Sequence, residues 1–165
     1  MRKDLRIGAL LATLAAIALV GLLIVMLPGA GPRATYGAKT GEIDERFAQG
    51  VLMLHAKQYE HALTAFHRVL ALDPAMPEAH VNVGFALLGM GEAGAARDFF
   101  ASALELRTRQ LNAYYGLAVA SEQLGDLAAA RGAMRTYAHL APRDDPFRRK
   151  AEAALWEWDP GISKK

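Results

Sequence analysis

The clearest feature of the pattern of apolar and polar positions is an uninterrupted apolar run near the N-terminus. Residues 7–27, IGALLATLAAIALVGLLIVML, contain no charged side chain. A helix of this length spans about 31 Å, which is close to the thickness of a bilayer hydrocarbon core. The run therefore predicts a transmembrane helix.

A cleaved signal peptide is the alternative for this segment, because residues 1–6 carry three basic side chains. The apolar part of a signal peptide is usually only about 7 to 15 residues long. Pro28 also stands two positions before Ala30, where a cleavage site prefers a small residue. The segment is thus expected to remain as a signal anchor. The basic residues before it favour an N-terminus in the cytoplasm and export of the rest of the chain.

Residues 28–42 are rich in glycine and proline and predict a flexible linker. From residue 43 the apolar positions follow helical spacing, and the pattern recurs with a period of about 34 residues. The matched positions are Gly50 with Gly84, Ala62 with Ala96 and Ala130, Phe66 with Phe100 and Met134, Gly91 with Gly125, and Pro74 with Pro142. Small residues let two helices approach, and an aromatic ring fills the space beside them. Each period therefore predicts two antiparallel helices.

The predicted units cover residues 43–76, 77–110 and 111–142. Their first helices are expected at 44–57, 77–90 and 111–124, and their second helices at 60–72, 93–106 and 127–140. Gly91 and Gly125 mark the turns, while Pro74 and Pro142 end second helices. Each pair exposes an apolar face that only a neighbouring pair covers.

This pattern resembles the tetratricopeptide repeat. The resemblance covers residues 44–142 and is carried by Gly50, Ala62, Phe66, Pro74, Gly84, Ala96, Phe100, Ala103, Leu117, Ala130 and Pro142. The sequence departs from the repeat at Arg46 and His80, where a large aromatic residue is usual, and at Thr108, where a proline is usual. The resemblance implies an all-α protein, with an α-solenoid of three helix pairs after the N-terminal transmembrane helix.

Residues 143–158 predict one further helix, in which Pro146 stands in the first turn, and residues 159–165 form a tail. Its stripe of Phe147, Ala151, Leu155 and Trp158 is expected to cover the third unit as a capping helix. The alternative is that Trp156 or Trp158 contacts a partner.

In the resembling family, the first helix of each unit lines a concave surface. Helical spacing places on that surface a set of mainly apolar residues: Phe47, Val51, Leu54, His55, Val81, Phe85, Leu88, Asn112, Tyr115, Val119 and Glu122. Asp44, Glu78 and Gln123 complete a polar rim. Such an apolar patch predicts that a peptide segment or helix of another protein binds there. The Lys, Arg and Asn residues with which chaperone-binding members hold a peptide carboxylate are not matched. The alternative is that some of these residues form inter-helix core, since a two-residue error rotates a face by about 200°.

Charge and composition exclude several other functions. Residues 1–6 hold three of the 19 basic and one of the 17 acidic residues, so the rest of the chain is neutral and does not favour nucleic-acid binding. The absence of cysteine excludes disulfides, thiolate metal sites and covalent haem attachment. His55, His61 and His67 recur at six-residue intervals, which on one helix point in three directions and do not form a metal site.

No catalytic constellation is recognisable, because the chain has neither a nucleophile elbow nor a phosphate-binding glycine loop after a strand. The sequence therefore predicts a protein that is not an enzyme and that has no cofactor and no small-molecule substrate.

The sequence predicts a single-pass scaffold in the bacterial inner membrane, with its repeats in the periplasm, that assembles a membrane complex. The resemblance suggests cytochrome c or respiratory-complex biogenesis. The alternative is a constitutive small subunit whose transmembrane helix is part of the interface, through the small residues of the stripe Gly8, Ala12, Ala15, Ala16 and Leu19.

Overall fold

A computed structural model describes residues 32–159 of the chain. The predicted transmembrane span, residues 7–27, lies outside the described residues. The chain divides into two compact units, Met1–Glu42 and Ile43–Lys165, of which the second contains the repeats. None of the helices within the described residues is long and apolar enough to cross a membrane.

The described residues form seven α-helices. They are α1 (Pro32–His55), α2 (Tyr59–Leu72), α3 (Pro77–Gly89), α4 (Ala93–Leu106), α5 (Leu111–Gln123), α6 (Leu127–Leu140) and α7 (Arg148–Glu157). The prediction of helix pairs is confirmed there, because α2 to α6 all begin and end within one residue of the predicted bounds. Gly91 and Gly125 at two of the turns and Pro74 and Pro142 after α2 and α6 mark several of these bounds in the sequence.

Helix α1 begins at Pro32 rather than near residue 44, so the described part of the expected linker is helical. Proline is favoured in the first turn of a helix. Gly37 and Gly41 each cost about 1 kcal/mol of helix propensity, yet adding residues to an existing helix is easier than nucleating a new one. The composition of this segment therefore misled the prediction.

The turn within each unit has the same geometry. The backbone φ angle is positive at Lys57 (58°), Gly91 (83°) and Gly125 (79°), which occupy equivalent positions in the three units. In each turn the following residue donates a hydrogen bond to a carbonyl oxygen five positions back: Gln58 to Met53 at 2.8 Å, Glu92 to Leu87 at 2.9 Å, and Asp126 to Ser121 at 2.9 Å. These bonds satisfy carbonyl groups at the helix ends. The first unit thus makes the same turn without glycine.

Three clusters of buried side chains form a core that continues from unit to unit. One joins α2 to α3 through Ala62, Phe66, Val83 and Ala86. The next joins α3, α4 and α5 through Val81, Ala96, Phe100, Ala103, Ala113 and Ala120. The ring of Phe100 lies between Gly84 and Gly116, where an added Cβ would stand only 2.7 and 2.2 Å from it. Glycine at both positions therefore permits the close approach of α3 and α5 to α4.

The last cluster joins α5 and α6 to α7. Ala151 and Trp158 are buried in it, and Leu155 packs against it. The indole nitrogen of Trp158 donates a hydrogen bond to the Glu122 carboxylate at 3.0 Å, and Arg131 donates to the Trp158 carbonyl at 2.8 Å. Helix α7 therefore covers the third unit through Ala151, Leu155 and Trp158. It begins at Arg148, so Pro146 lies before the helix and not in its first turn, and Phe147 stays exposed. Trp156 is likewise exposed, at 65%.

Candidate peptide-binding groove

The first helices of the second and third units, α3 and α5, lie side by side. Helix α3 contacts α5 directly, in addition to the second helices on either side of it. Ten of the eleven residues predicted for the concave surface reach solvent at least in part. His55, Asn112 and Glu122 are exposed, and the half-buried ones are Phe47, Val51, Leu54, Phe85, Leu88, Tyr115 and Val119. We call these ten residues the groove residues.

The aromatic groove residues are held by rings from the second helix of their own unit. The ring centroids are 5.7 Å apart in Phe47 and Phe66, 5.1 Å in Phe85 and Phe100, and 5.4 Å in Tyr115 and Tyr137, and all three pairs pack edge to face. This arrangement is favourable for aromatic quadrupoles and fixes the orientation of each ring. The apolar surface of the groove is thus organised before any ligand arrives.

Val81 does not belong to the groove. Its side chain is only 2% exposed and packs in the cluster that also contains Phe100 and Ala113. Helix α5 packs on α3 here, so the face that carries Val81 is covered by the next unit. Helical spacing alone places Val81 on the same face as Phe85 and does not reveal how far the neighbouring helix extends.

The chain's own C-terminal segment contacts the groove residues of the third unit. The Phe147 ring lies 5.7 Å from the Tyr115 ring at a tilt of 54°, and Glu122 accepts the hydrogen bond from Trp158. Burial and the nearby Glu122 carboxylate both raise the pKa of Tyr115 above its usual value of 10. At the rim, Glu78 forms an ion pair with Arg107. The groove therefore presents its free apolar surface mainly along α1 and α3.

Among residues 32–159, no group of three or more His, Asp or Glu side chains could hold a metal ion. His55 closes α1, whereas His61 and His67 lie on α2 beyond the turn. The equal intervals between the three histidines therefore span two antiparallel helices.

A feature that the sequence did not reveal is a pocket of about 620 Å³ on the first unit. Its lining comes from α1 and α2 and consists of Arg46, Gln49, Met53, His61, Thr64, Ala65, His67, Arg68 and Ala71. On α1, the pocket residues lie roughly 130° around the helix from Phe47, Val51 and Leu54. The pocket and the groove therefore occupy different faces of α1. The one signal in the sequence was Arg46, which stands where the repeat usually has an aromatic residue.

Comparison with known proteins agrees with this architecture. Residues 53–108 match the family model of the tetratricopeptide repeat. A comparison with curated proteins gave no significant match. This repeat match and the structural likeness below together support a tetratricopeptide repeat protein, with a fold typical of non-enzymatic scaffolds for protein interaction. They do not test the predicted membrane anchor.

Several solved structures share the fold. The TPR domain of Arabidopsis OM64 superposes with a TM-score of 0.68 at 18% identity, covering 75% of this chain and 99% of that one. The Yersinia enterocolitica type III secretion chaperone SycD, in complex with a peptide of the translocator YopD, gives 0.66 at 16% identity, covering 74% and 94%. The first TPR of Spaghetti (RPAP3), bound to the HSP90 peptide SRMEEVD, gives 0.67 at 17% identity, with the same coverages. At these identities the likeness shows the fold, and two of the three structures hold a peptide.

Proposed function

We propose that this protein is a scaffold that binds a peptide segment of another protein in the groove formed by its first helices. The observation that carries the proposal is the row of half-buried apolar side chains along α1 and α3, namely Phe47, Val51, Leu54, Phe85 and Leu88. Partly exposed apolar side chains in a row favour an apolar ligand, because the ligand removes their remaining exposed area from water. The peptides held by two proteins of similar fold support the same use of the fold.

The chemistry of the groove favours an apolar or amphipathic segment. None of the ten groove residues is Lys or Arg, so the groove has no strong partner for a peptide carboxylate. Its rings are fixed by edge-to-face contacts and lose little conformational entropy when a ligand binds. A helix or an extended segment with alternating apolar side chains fits such a surface.

We extend the proposal to the cell envelope. The uncharged residues 7–27 favour a retained anchor, and the basic residues 1–6 favour a cytoplasmic N-terminus, which places the repeats in the periplasm. The scaffold would then hold a segment of another envelope protein while a membrane complex assembles. A role in cytochrome c or respiratory-complex biogenesis is a narrower form of this proposal and stays a prediction.

Site-specific photocrosslinking of the full chain in intact cells tests the proposal. A benzophenone amino acid at Val51 is expected to capture a protein with a periplasmic segment, and a peptide from the crosslinked region is then titrated against the purified full chain. Exchange of Leu54 and Leu88 for Gln should weaken that peptide at least tenfold, which corresponds to about 1.4 kcal/mol of lost apolar contact.

Leu106→Gln is the matched control, because Leu106 is an exposed leucine on a second helix. It should leave the affinity within twofold of the original value. A peptide that binds equally well to the Leu54→Gln, Leu88→Gln variant would contradict the groove. Capture of cytosolic proteins alone would contradict the location in the envelope.

A further inference from the structure

The pocket on the first unit lies where the later units are covered by a neighbouring helix. In the second unit, Val83 is buried and Leu87 and Phe99 pack with it against α2. The imidazole of His80 also lies 5.8 Å from the Phe99 ring. One repeat earlier, the corresponding positions hold Arg46, Gln49, Met53 and Ala65, and all four line the open pocket. The pocket is thus the outer face of the first unit, which no helix within residues 32–159 covers.

Basic side chains surround this pocket. Arg46, Arg68, His61 and His67 line it, and none of its nine lining residues is acidic. Arg46 donates from Nη1 to Gln49 at 3.2 Å, while its Nε is buried without a hydrogen-bond partner. A buried donor without a partner carries an uncompensated desolvation cost. The guanidinium of Arg46 therefore has donor capacity that the described residues do not use.

The lining also defines the chemistry of the ligand. Guanidinium groups bind carboxylates through paired, charge-assisted hydrogen bonds. Met53, Ala65 and Ala71 add apolar surface between the basic groups. The pocket therefore suits a segment that carries carboxylate side chains beside small apolar ones.

We propose that this pocket, which we name the basic end pocket, is a second docking site that takes an acidic segment of a partner protein. The site goes beyond the proposed groove function, because it lies on another face of α1 and is lined by different residues. Binding in one site leaves the other free, so the scaffold could hold two segments together.

Fluorescence anisotropy with the full chain in a mild non-ionic detergent tests the proposal. The probe is the fluorescein-labelled peptide AEELAEELAEEL, and the control peptide has Lys at every Glu position. The acidic peptide should bind saturably and the basic one should not. Arg68→Glu is expected to raise the dissociation constant of the acidic peptide at least tenfold, and Arg46→Gln at least threefold.

Arg135→Glu is the matched control, since Arg135 is an exposed arginine on α6, outside the pocket. It introduces the same change of charge and should alter the dissociation constant less than twofold. Equal losses in Arg68→Glu and Arg135→Glu would overturn the proposal, because they would indicate diffuse attraction of charge. Circular dichroism and melting of each variant confirm that the fold persists.

Two further measurements distinguish other occupants. The Leu54→Gln, Leu88→Gln variant should bind the acidic peptide as the original chain does, and a tenfold loss there would place the peptide in the groove and overturn the proposal. Sedimentation of the full chain should show the same mass for the original and for Arg68→Glu. Conversion from a dimer to a monomer by Arg68→Glu would identify a second copy as the occupant and would likewise overturn it.

Discussion

The first and second units share a backbone but differ at the positions that face the preceding unit. Val83 is 0% exposed because α2 covers it, whereas Gln49, at the equivalent position of the first unit, is exposed. Phe99 packs in the same cluster as Val83, and its counterpart Ala65 lines the basic end pocket. The difference shows that a covered position carries a large apolar residue, Val83 or Phe99, where the open position carries the polar Gln49 or the small Ala65.

The outer face of the third unit, at the other end of the described stack, is protected in a different way. It is covered by α7, whose Ala151 occupies the position that corresponds to Gln49 and Val83 and is 0% exposed. A stack of repeats needs a polar outer face at each end. Within the described residues, the outer face of the first unit carries polar residues such as Arg46 and Gln49, whereas an added helix covers the third unit.

The largest effect is expected when a carboxylate replaces Val83, which α2 covers in the second unit, and the equivalent Gln49, which is exposed in the first unit. Val83→Asp should lower the free energy of unfolding by about 4 kcal/mol, because it buries a charge without a partner between α2 and α3. Gln49→Asp should change it by less than about 0.5 kcal/mol, because water still reaches the site. Urea unfolding followed by circular dichroism measures both values. Similar losses in the two variants would mean that the first unit's outer face is covered in solution.

A smaller effect is expected at the covered end, where Asp145 holds the segment that leads into α7. Its carboxylate accepts hydrogen bonds from the Tyr137 hydroxyl at 2.5 Å and from the Phe147 backbone at 2.8 Å. Asp145→Ala should therefore lower the free energy of unfolding by about 2 kcal/mol. Asp144→Ala, at the exposed neighbour, should have almost no effect. Equal stability of the two variants would contradict a role for this carboxylate in docking α7.

The same pair of variants has a spectroscopic readout. The pKa of Tyr137 lies far above its usual value of 10. Burial is the largest cause, and the hydrogen bond to Asp145 is the second. The folded state thus favours the neutral phenol, so this stabilisation is complete below about pH 10 and is lost as the pH rises through the raised pKa. Absorbance at 295 nm should show one tyrosine ionising at lower pH in Asp145→Ala than in Asp144→Ala.

The sequence predicted the helix pairs well because their bounds depend on local chemistry. Glycine at the turns of the second and third units and proline after the second helices of the first and third units each restrict the backbone directly, and their spacing gives the register. The start of α1 at Pro32 was missed for the same reason. Gly37 and Gly41 disfavour a helix locally, and only the continuity with the following helix outweighs them.

The binding surfaces were less predictable because they depend on what covers each face. Val81 and Phe85 both fit a concave stripe, yet only Val81 is buried by α5. In the sequence, Arg46 is only a departure from the usual aromatic residue of the repeat. Its meaning depends on whether another helix packs on the outer face of α1 and α2, and none of the described residues does so. The basic end pocket is therefore recognised only when the packing of α1 against α2 is known.

The smallest effect is expected at the turn of the first unit, where Lys57 adopts the left-handed conformation that glycine adopts at Gly91. For a residue with a Cβ this conformation costs about 1 to 2 kcal/mol, and the greater entropy that glycine loses on folding offsets part of the gain. Lys57→Gly should therefore raise the free energy of unfolding by about 0.5 to 1 kcal/mol. Gly91→Lys should lower it by a similar amount, since a Cβ at Gly91 meets no atom within 4 Å and only the backbone is strained. Urea unfolding of the two variants checks the opposite signs. If Lys57→Gly instead destabilises the chain, the Lys57 side chain makes a contact that outweighs the backbone strain, and the first unit differs from the second by more than its uncovered face.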